Sequence, residues 1–304
     1  MSPLAEEKTA RDWFVEGCQL DQVEELPERA IEAYKACLHL DDEFVDAYVN
    51  LGFIYVERED YDEALKCFTR VTELEQDNPE AFNDLGYVYE RLERLGSARQ
   101  MYERALQIDP NDVEAYINIG HIADLEGDYE GSMRQYRKAI QIEPESVSAH
   151  FCLALLYDRH DMFEEAMAEY QEVINLDPRH LKALFNLGNL HAQHGEYDDA
   201  IACFKWVLNL NATHAQAYNN LGSVYEGLGQ YDDAISMYRK SVSFKSVQEE
   251  AHCNLARLEY SLSNGQASDR ELKGIIDRLH LVLSINPRNA NAQQLLQKIE
   301  ARVT

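Results

Sequence analysis

The chain has 304 residues, 45% of them hydrophobic, and sets 28 basic against 55 acidic side chains for a formal net charge of −27. That balance disfavours nucleic acid and anionic lipid as main partners and favours a basic protein segment. No basic-then-apolar leader is visible at the start, no run reaches the ~18 apolar residues of a membrane span, and the six cysteines form no CxxC pair, so a reduced cytoplasmic setting without membrane insertion is expected.

Residues 1–10 read as an N-terminal extension. Beyond them the sequence repeats every 34 residues: Asn50-Leu51-Gly52 returns as Asp84-Leu85-Gly86, Asn118-Ile119-Gly120, Asn186-Leu187-Gly188 and Asn220-Leu221-Gly222. A fixed period of this length marks an array in which each unit packs on its neighbours. The units run 11–44, 45–78, 79–112, 113–146, 147–180, 181–214 and 215–248. The first is degenerate: Phe14, Ala30 and Tyr34 fit, but Gly17-Cys18 replaces Leu-Gly.

With Val45 as position 1, positions 4, 7, 8 and 11 (Tyr48, Leu51, Gly52 and Tyr55) fall at helical spacing and predict an amphipathic first helix. A second helix carries a small residue at position 20 (Ala64, Ala98, Ala166) and an aromatic at 24 (Phe68, Tyr102, Tyr170). The small residues at 8 and 20 are expected to meet where the two helices cross, with the aromatic filling the space beyond. Asp60 and Glu63 have capping-box spacing, and Pro110, Pro144 and Pro178 at position 32 end their helices. Residues 249–289 predict an eighth unit lengthened by seven residues, the excess placed in the polar turn Ser261–Asp269. Residues 290–304 put Ala292, Leu295, Leu296, Ile299 and Val303 on one face of a terminal capping helix.

The spaced pattern G-x2-Y-x8-A-x3-F/Y-x7-P resembles the tetratricopeptide-repeat (TPR) family over almost the whole chain. The resemblance implies an all-α, right-handed α-solenoid of helix–turn–helix units, a superhelix whose concave groove is lined by first helices at positions 2, 5, 6, 9, 12 and 13. Position 6 then lines the groove with Asn50, Asp84, Asn118, Cys152, Asn186, Asn220 and Asn254. A carboxamide both donates and accepts, so one per unit can pair with the backbone of an extended peptide. The series is similar to the asparagine ladder of O-linked N-acetylglucosamine transferases; the alternative is that this asparagine fixes the repeat itself. At positions 5 and 9, Phe53, Tyr87, Ile117, His121, Phe151, Leu155 and Phe185 form an apolar stripe, whereas Asn189 belongs to a polar stretch further on. Acidic rungs flank them: Asp46, Glu80 and Glu114 at position 2, and Glu90, Asp124, Asp158 and Glu226 at position 12. Position 5 holds no basic residue, so the carboxylate clamp of chaperone-binding members is not expected.

The expected partner is therefore a protein bound through an extended or helical segment with apolar anchors and basic residues, and the chain acts as an adaptor. Self-assembly into a homo-oligomeric scaffold, suggested by Trp13 and Phe14 in the imperfect first unit, and presentation of substrates to a separate enzyme are the alternatives. No cofactor and no catalytic residues are expected: no phosphate loop or nucleophile constellation stands out. His191 and His194 share i, i+3 spacing, but no carboxylate or thiol partner is evident in sequence, so both read as structural.

Overall fold

A computed structural model describes residues 8–22, 27–245, 249–263 and 267–303. Residues 1–7 of the expected extension and 264–266 of the expected long turn lie outside them. All regular structure among the described residues is α-helical, in 17 helices. The chain forms two compact units, Met1–Leu156 and Tyr157–Thr304.

The Met1–Leu156 unit holds α1 (Ala10–Asp21), α2 (Pro27–Leu40), α3 (Val45–Glu57), α4 (Tyr61–Leu74), α5 (Pro79–Arg91), α6 (Leu95–Ile108), α7 (Val113–Leu125) and α8 (Tyr129–Ile142). α9 (Val147–Arg159) spans the division. The Tyr157–Thr304 unit continues with α10 (Phe163–Leu176), α11 (Leu181–Gln193), α12 (Tyr197–Leu210), α13 (Ala215–Gly227), α14 (Tyr231–Phe244), α15 (Glu249–Leu262), α16 (Asp269–Ile285) and α17 (Ala290–Val303). From α3 to α14 the same pair recurs, a first helix of 13 residues and a second of 14.

The helix crossing differs from the expectation. A Cβ built on the position-8 glycine has the position-24 ring as its nearest neighbour: Gly86 would bring it 2.5 Å from Tyr102, and Gly52 2.8 Å from Phe68. The ring lies directly on the glycine backbone, so glycine is required for close approach. Tyr102, Tyr136, Tyr170, Tyr238, Phe68 and Phe204 are fully buried there, each worth about 2–3 kcal/mol of transfer free energy. The first unit keeps this contact with a shift of one residue, since Gly17 faces Tyr34 at 2.6 Å. Phe14 packs against Tyr34 and Phe44, with ring centroids 5.9 and 4.9 Å away, and Trp13 joins the same core.

Asp60 stands at the N-cap of α4 as its spacing suggested, but no capping box forms there, for its side chain makes no capping hydrogen bond. Capping boxes form instead at Thr9 with Asp12 and at Ser268 with Glu271. The turn between paired helices has its own rule: position 15 is left-handed in six units, as Gly127, Gly195 and Gly229 and, less comfortably, as Glu59, Glu93 and Asp161 at φ 57–59°.

In the eighth unit the additional length is shared. α16 has 17 residues against 14 in the other second helices, α15 has one more than its counterparts, and the remainder falls in the turn. α17 buries Ala292 and Ile299 against Ile275, Leu279 and Val282 of α16.

Candidate functional site

Positions 6, 12 and 24 form a hydrogen-bond system that the sequence reading had split between core and groove. The position-24 tyrosine hydroxyl donates to the acid at position 12 of its own repeat: Tyr102 to Glu90 at 3.3 Å, Tyr170 to Asp158 at 3.4 Å and Tyr238 to Glu226 at 3.0 Å. It also accepts from the position-6 asparagine of the next repeat, as Asn50 to Tyr34 at 3.1 Å and Asn186 to Tyr170 at 3.0 Å. Burial and the adjoining carboxylate hold the hydroxyls of Tyr102, Tyr170 and Tyr238 protonated well above the usual phenol range. Where position 24 is Phe68 or Phe204, position 12 is Val56 or Ala192, and no acid is needed. Three of the acids read as groove rungs are thus acceptors for the repeat's own tyrosines.

The position-6 side chains divide accordingly, all of them half-buried. Asn50 and Asn186 each commit an amide hydrogen to a tyrosine. Asn220 follows Phe204, finds no hydroxyl there, and joins a carboxamide relay: Asn254 donates to Asn219 at 3.2 Å, Asn219 to Asn220 at 3.2 Å, and Asn220 to Asn189 at 2.7 Å. Asp84 follows Phe68 and is left without a hydroxyl donor. Burial, with Glu114 and Glu80 nearby, pushes its pKa up to about 7. Asn118 stands at position 6 of the repeat after Tyr102, and the Tyr102 hydroxyl donates to Glu90.

The flanking residues are placed as follows. Phe53 and Tyr87 are 45% and 40% exposed. Tyr87 stands one helical turn beyond Asp84 on α5, and Phe53 rests edge-on against Phe68 with centroids 5.2 Å apart. Ile117, Phe151, Cys152 and Leu155 are half-buried. Phe185 lies between Phe204 and His214, at 5.9 and 5.2 Å. His121 sits 3.0 Å from Glu90 across adjacent repeats, and Arg257 makes the equivalent contact with Glu226 as a two-bonded pair at 2.7 and 2.8 Å.

Burial raises the thiols of Cys67 to about 12 and Cys203 to about 11 on second helices, and that of Cys253 at position 5 of α15 upward, which keeps them as protonated thiols at neutral pH. The two histidines read as structural separate: His194 packs edge-on against Phe163 at 4.5 Å, while His191 Nδ1 lies 2.6 Å from Glu196, with Asp199 beside them. The carboxylates missing from the sequence reading are supplied by the turn and the start of α12. No helix among the described residues is long and apolar enough to cross a membrane.

Family models described as tetratricopeptide repeat match residues 43–111, 101–133 and 185–247, and one described as TPR repeat matches 125–160 and 162–195. No curated protein matches by sequence. Among solved structures the chain is similar to YrrB, titled a TPR protein with an unusual peptide-binding site, at 21% identity and a TM-score of 0.52 over 60% of this chain and 95% of that one. It is similar to the APC/C hetero-tetramer Cut9-Hcn1 at 18% identity and a TM-score of 0.60, over 95% of this chain and 58% of the other. The pilF protein of Pseudomonas aeruginosa gives 19% identity and a TM-score of 0.60 over 69% of this chain and 96% of that one. At such identities the likeness carries the fold alone. With matches running through residues 43–247 and one helix pair repeating every 34 residues, the chain belongs to the tetratricopeptide-repeat family.

Proposed function

We propose that the chain is a protein-binding module whose Met1–Leu156 unit takes an extended, basic segment of a partner on its first helices. Asp84 carries this reading. It is a half-buried carboxylate beside two more acids, Glu80 and Glu114, and burial with their repulsion already holds its proton to near-neutral pH. A lysine or arginine of the partner would relieve that repulsion. The exposed rings of Phe53 and Tyr87 offer apolar contact alongside it, and Asn118 on α7 retains a carboxamide for the partner's backbone. The net charge of −27 would speed the encounter with such a segment. YrrB, a fold relative titled for its peptide-binding site, supports peptide binding as the mode.

The test is the pH dependence of affinity. Peptides selected on the full chain from a random display library are titrated by calorimetry between about pH 6 and pH 8. A cation binds the ionised form of Asp84, so affinity should rise as pH passes through about 7 and then level, with a proton released on binding. Asp84→Asn should flatten the profile. A profile of unchanged slope in Asp84→Asn would refute the assignment.

A further inference from the structure

We propose that His191, Glu196 and Asp199 form a binding site for a divalent first-row transition-metal ion, of which Zn2+ is the natural probe. One imidazole nitrogen and two carboxylates are a donor set suited to such an ion, with water completing a tetrahedron. One ligand atom from each of the three residues lies within 4.8 Å of the other two. Tetrahedral bonds of about 2.0–2.1 Å place ligand atoms roughly 3.3 Å apart, so small rotations of exposed carboxylates would close the site. His191 Nδ1 and Glu196 now share a hydrogen bond of 2.6 Å, and the metal would take the place of its proton.

The scaffold under these ligands is rigid. His191 is in the last turn of α11, Gly195 reverses the chain at φ 76°, and Glu196 precedes α12. The Glu196 amide donates to the His191 carbonyl at 2.9 Å, which fixes the two residues side by side. Glu196 does not cap α12 with its side chain, leaving the carboxylate turned to the imidazole. Asp199, two residues into α12, approaches from the helix N-terminus.

The five other repeats from α3 to α14 serve as an internal control, because the same helix pair brings positions 11, 16 and 19 together in each. They read Tyr55-Asp60-Glu63, Tyr89-Arg94-Ser97, Ala123-Asp128-Gly131, Tyr157-Met162-Glu165 and Tyr225-Gln230-Asp233. Only the 181–214 unit replaces the packed tyrosine or alanine by an imidazole and keeps acids at both other places. Here the imidazole is bonded to one carboxylate, Glu196, and has a second, Asp199, within reach on the same turn.

Calorimetry with ZnCl2 on the tag-free full chain, in moderate salt to suppress diffuse binding to the acidic surface, tests the site. The expected result is one tight equivalent per chain. His191→Ala, Glu196→Gln and Asp199→Asn should each weaken it by at least about tenfold, since even outer-sphere changes cost that much. His194→Ala should leave it unchanged. Glu196→Gln keeps an acceptor for the imidazole and Asp199 is exposed, so both variants should fold and remain informative. Co2+ should give visible absorption bands that vanish in the same variants. Absence of binding, or several weak equivalents indifferent to all three substitutions, would overturn the proposal.

Discussion

A buried tyrosine hydroxyl must find an acceptor; in three repeats the position-12 acid supplies it, and in the first repeat Tyr34 donates to Cys18 instead. Glu90, Asp158 and Glu226 receive the hydroxyls of Tyr102, Tyr170 and Tyr238, while the phenylalanine repeats place Val56 and Ala192 at that point. The tyrosine in turn accepts from the next repeat's asparagine, so Asn186 is first a fold residue. Tyr170→Phe and Asn186→Ala should each cost about 1 kcal/mol in urea unfolding, and the double variant should cost less than their sum. Additive costs would show that the 3.0 Å bond contributes nothing. Asp84 makes the opposite prediction. Between about pH 4 and pH 7 the folded chain keeps a proton there that the unfolded chain has lost, so its contribution to stability falls as pH rises through that window. Asp84→Asn should stabilise the chain by on the order of 1–2 kcal/mol at about pH 8 and by little near pH 4. Chemistry of this kind was half legible. Asn at position 6 was visibly unusual, but its partner lies 16 residues earlier on another helix, and the pairing of positions 12 and 24 shows only when the repeats are read against one another.

At the level of the helix pair, the 34-residue period located both helices of each repeat, because spacing alone fixes which residues share a face. It could not say which buried residue the glycine meets, since side-chain direction decides that: the ring at position 24 reaches back over position 8. Gly86→Ala should accordingly destabilise by about 1–3 kcal/mol, because the methyl would lie 2.5 Å from the Tyr102 ring and force it aside. The turns offer the reverse case. Glu93 holds φ 58° where Gly127, Gly195 and Gly229 stand in other repeats. Glu93→Gly should raise the urea midpoint, by about 0.5–1 kcal/mol of stability, even though glycine loosens the unfolded chain. A lowered midpoint would mean that Glu93 makes compensating contacts. The same turn, one glycine and two acids after a histidine, is what sets His191, Glu196 and Asp199 together; spacing along one helix pairs His191 with His194 and does not reveal carboxylates across the turn.

Across the whole molecule, each helix pair is stabilised by its neighbours, and the polar contacts between repeats do more than join them. They engage Asn50, Asn186, Glu90 and Glu226 within the fold, and the proposed binding reading therefore rests on Asp84 and Asn118 among the position-6 groups of the Met1–Leu156 unit. In the Tyr157–Thr304 unit the relay from Asn254 to Asn189 leaves an amide donor at one end and a carbonyl acceptor at the other. The family and its helices were legible in the sequence because they depend on periodicity. The selection of free from committed polar groups was not, because it depends on which hydroxyl is present one repeat away. The most direct measurement is the affinity of display-selected peptides for the full chain and for Asp84→Asn, Asn118→Ala and Phe53→Ala, with folding checked by circular dichroism. The peptides should be rich in Lys or Arg beside apolar residues, and each substitution should weaken binding by about three- to thirtyfold, with Asn50→Glu at a committed position acting through stability instead. Peptides without basic residues, or affinities unchanged in all three variants, would contradict the account.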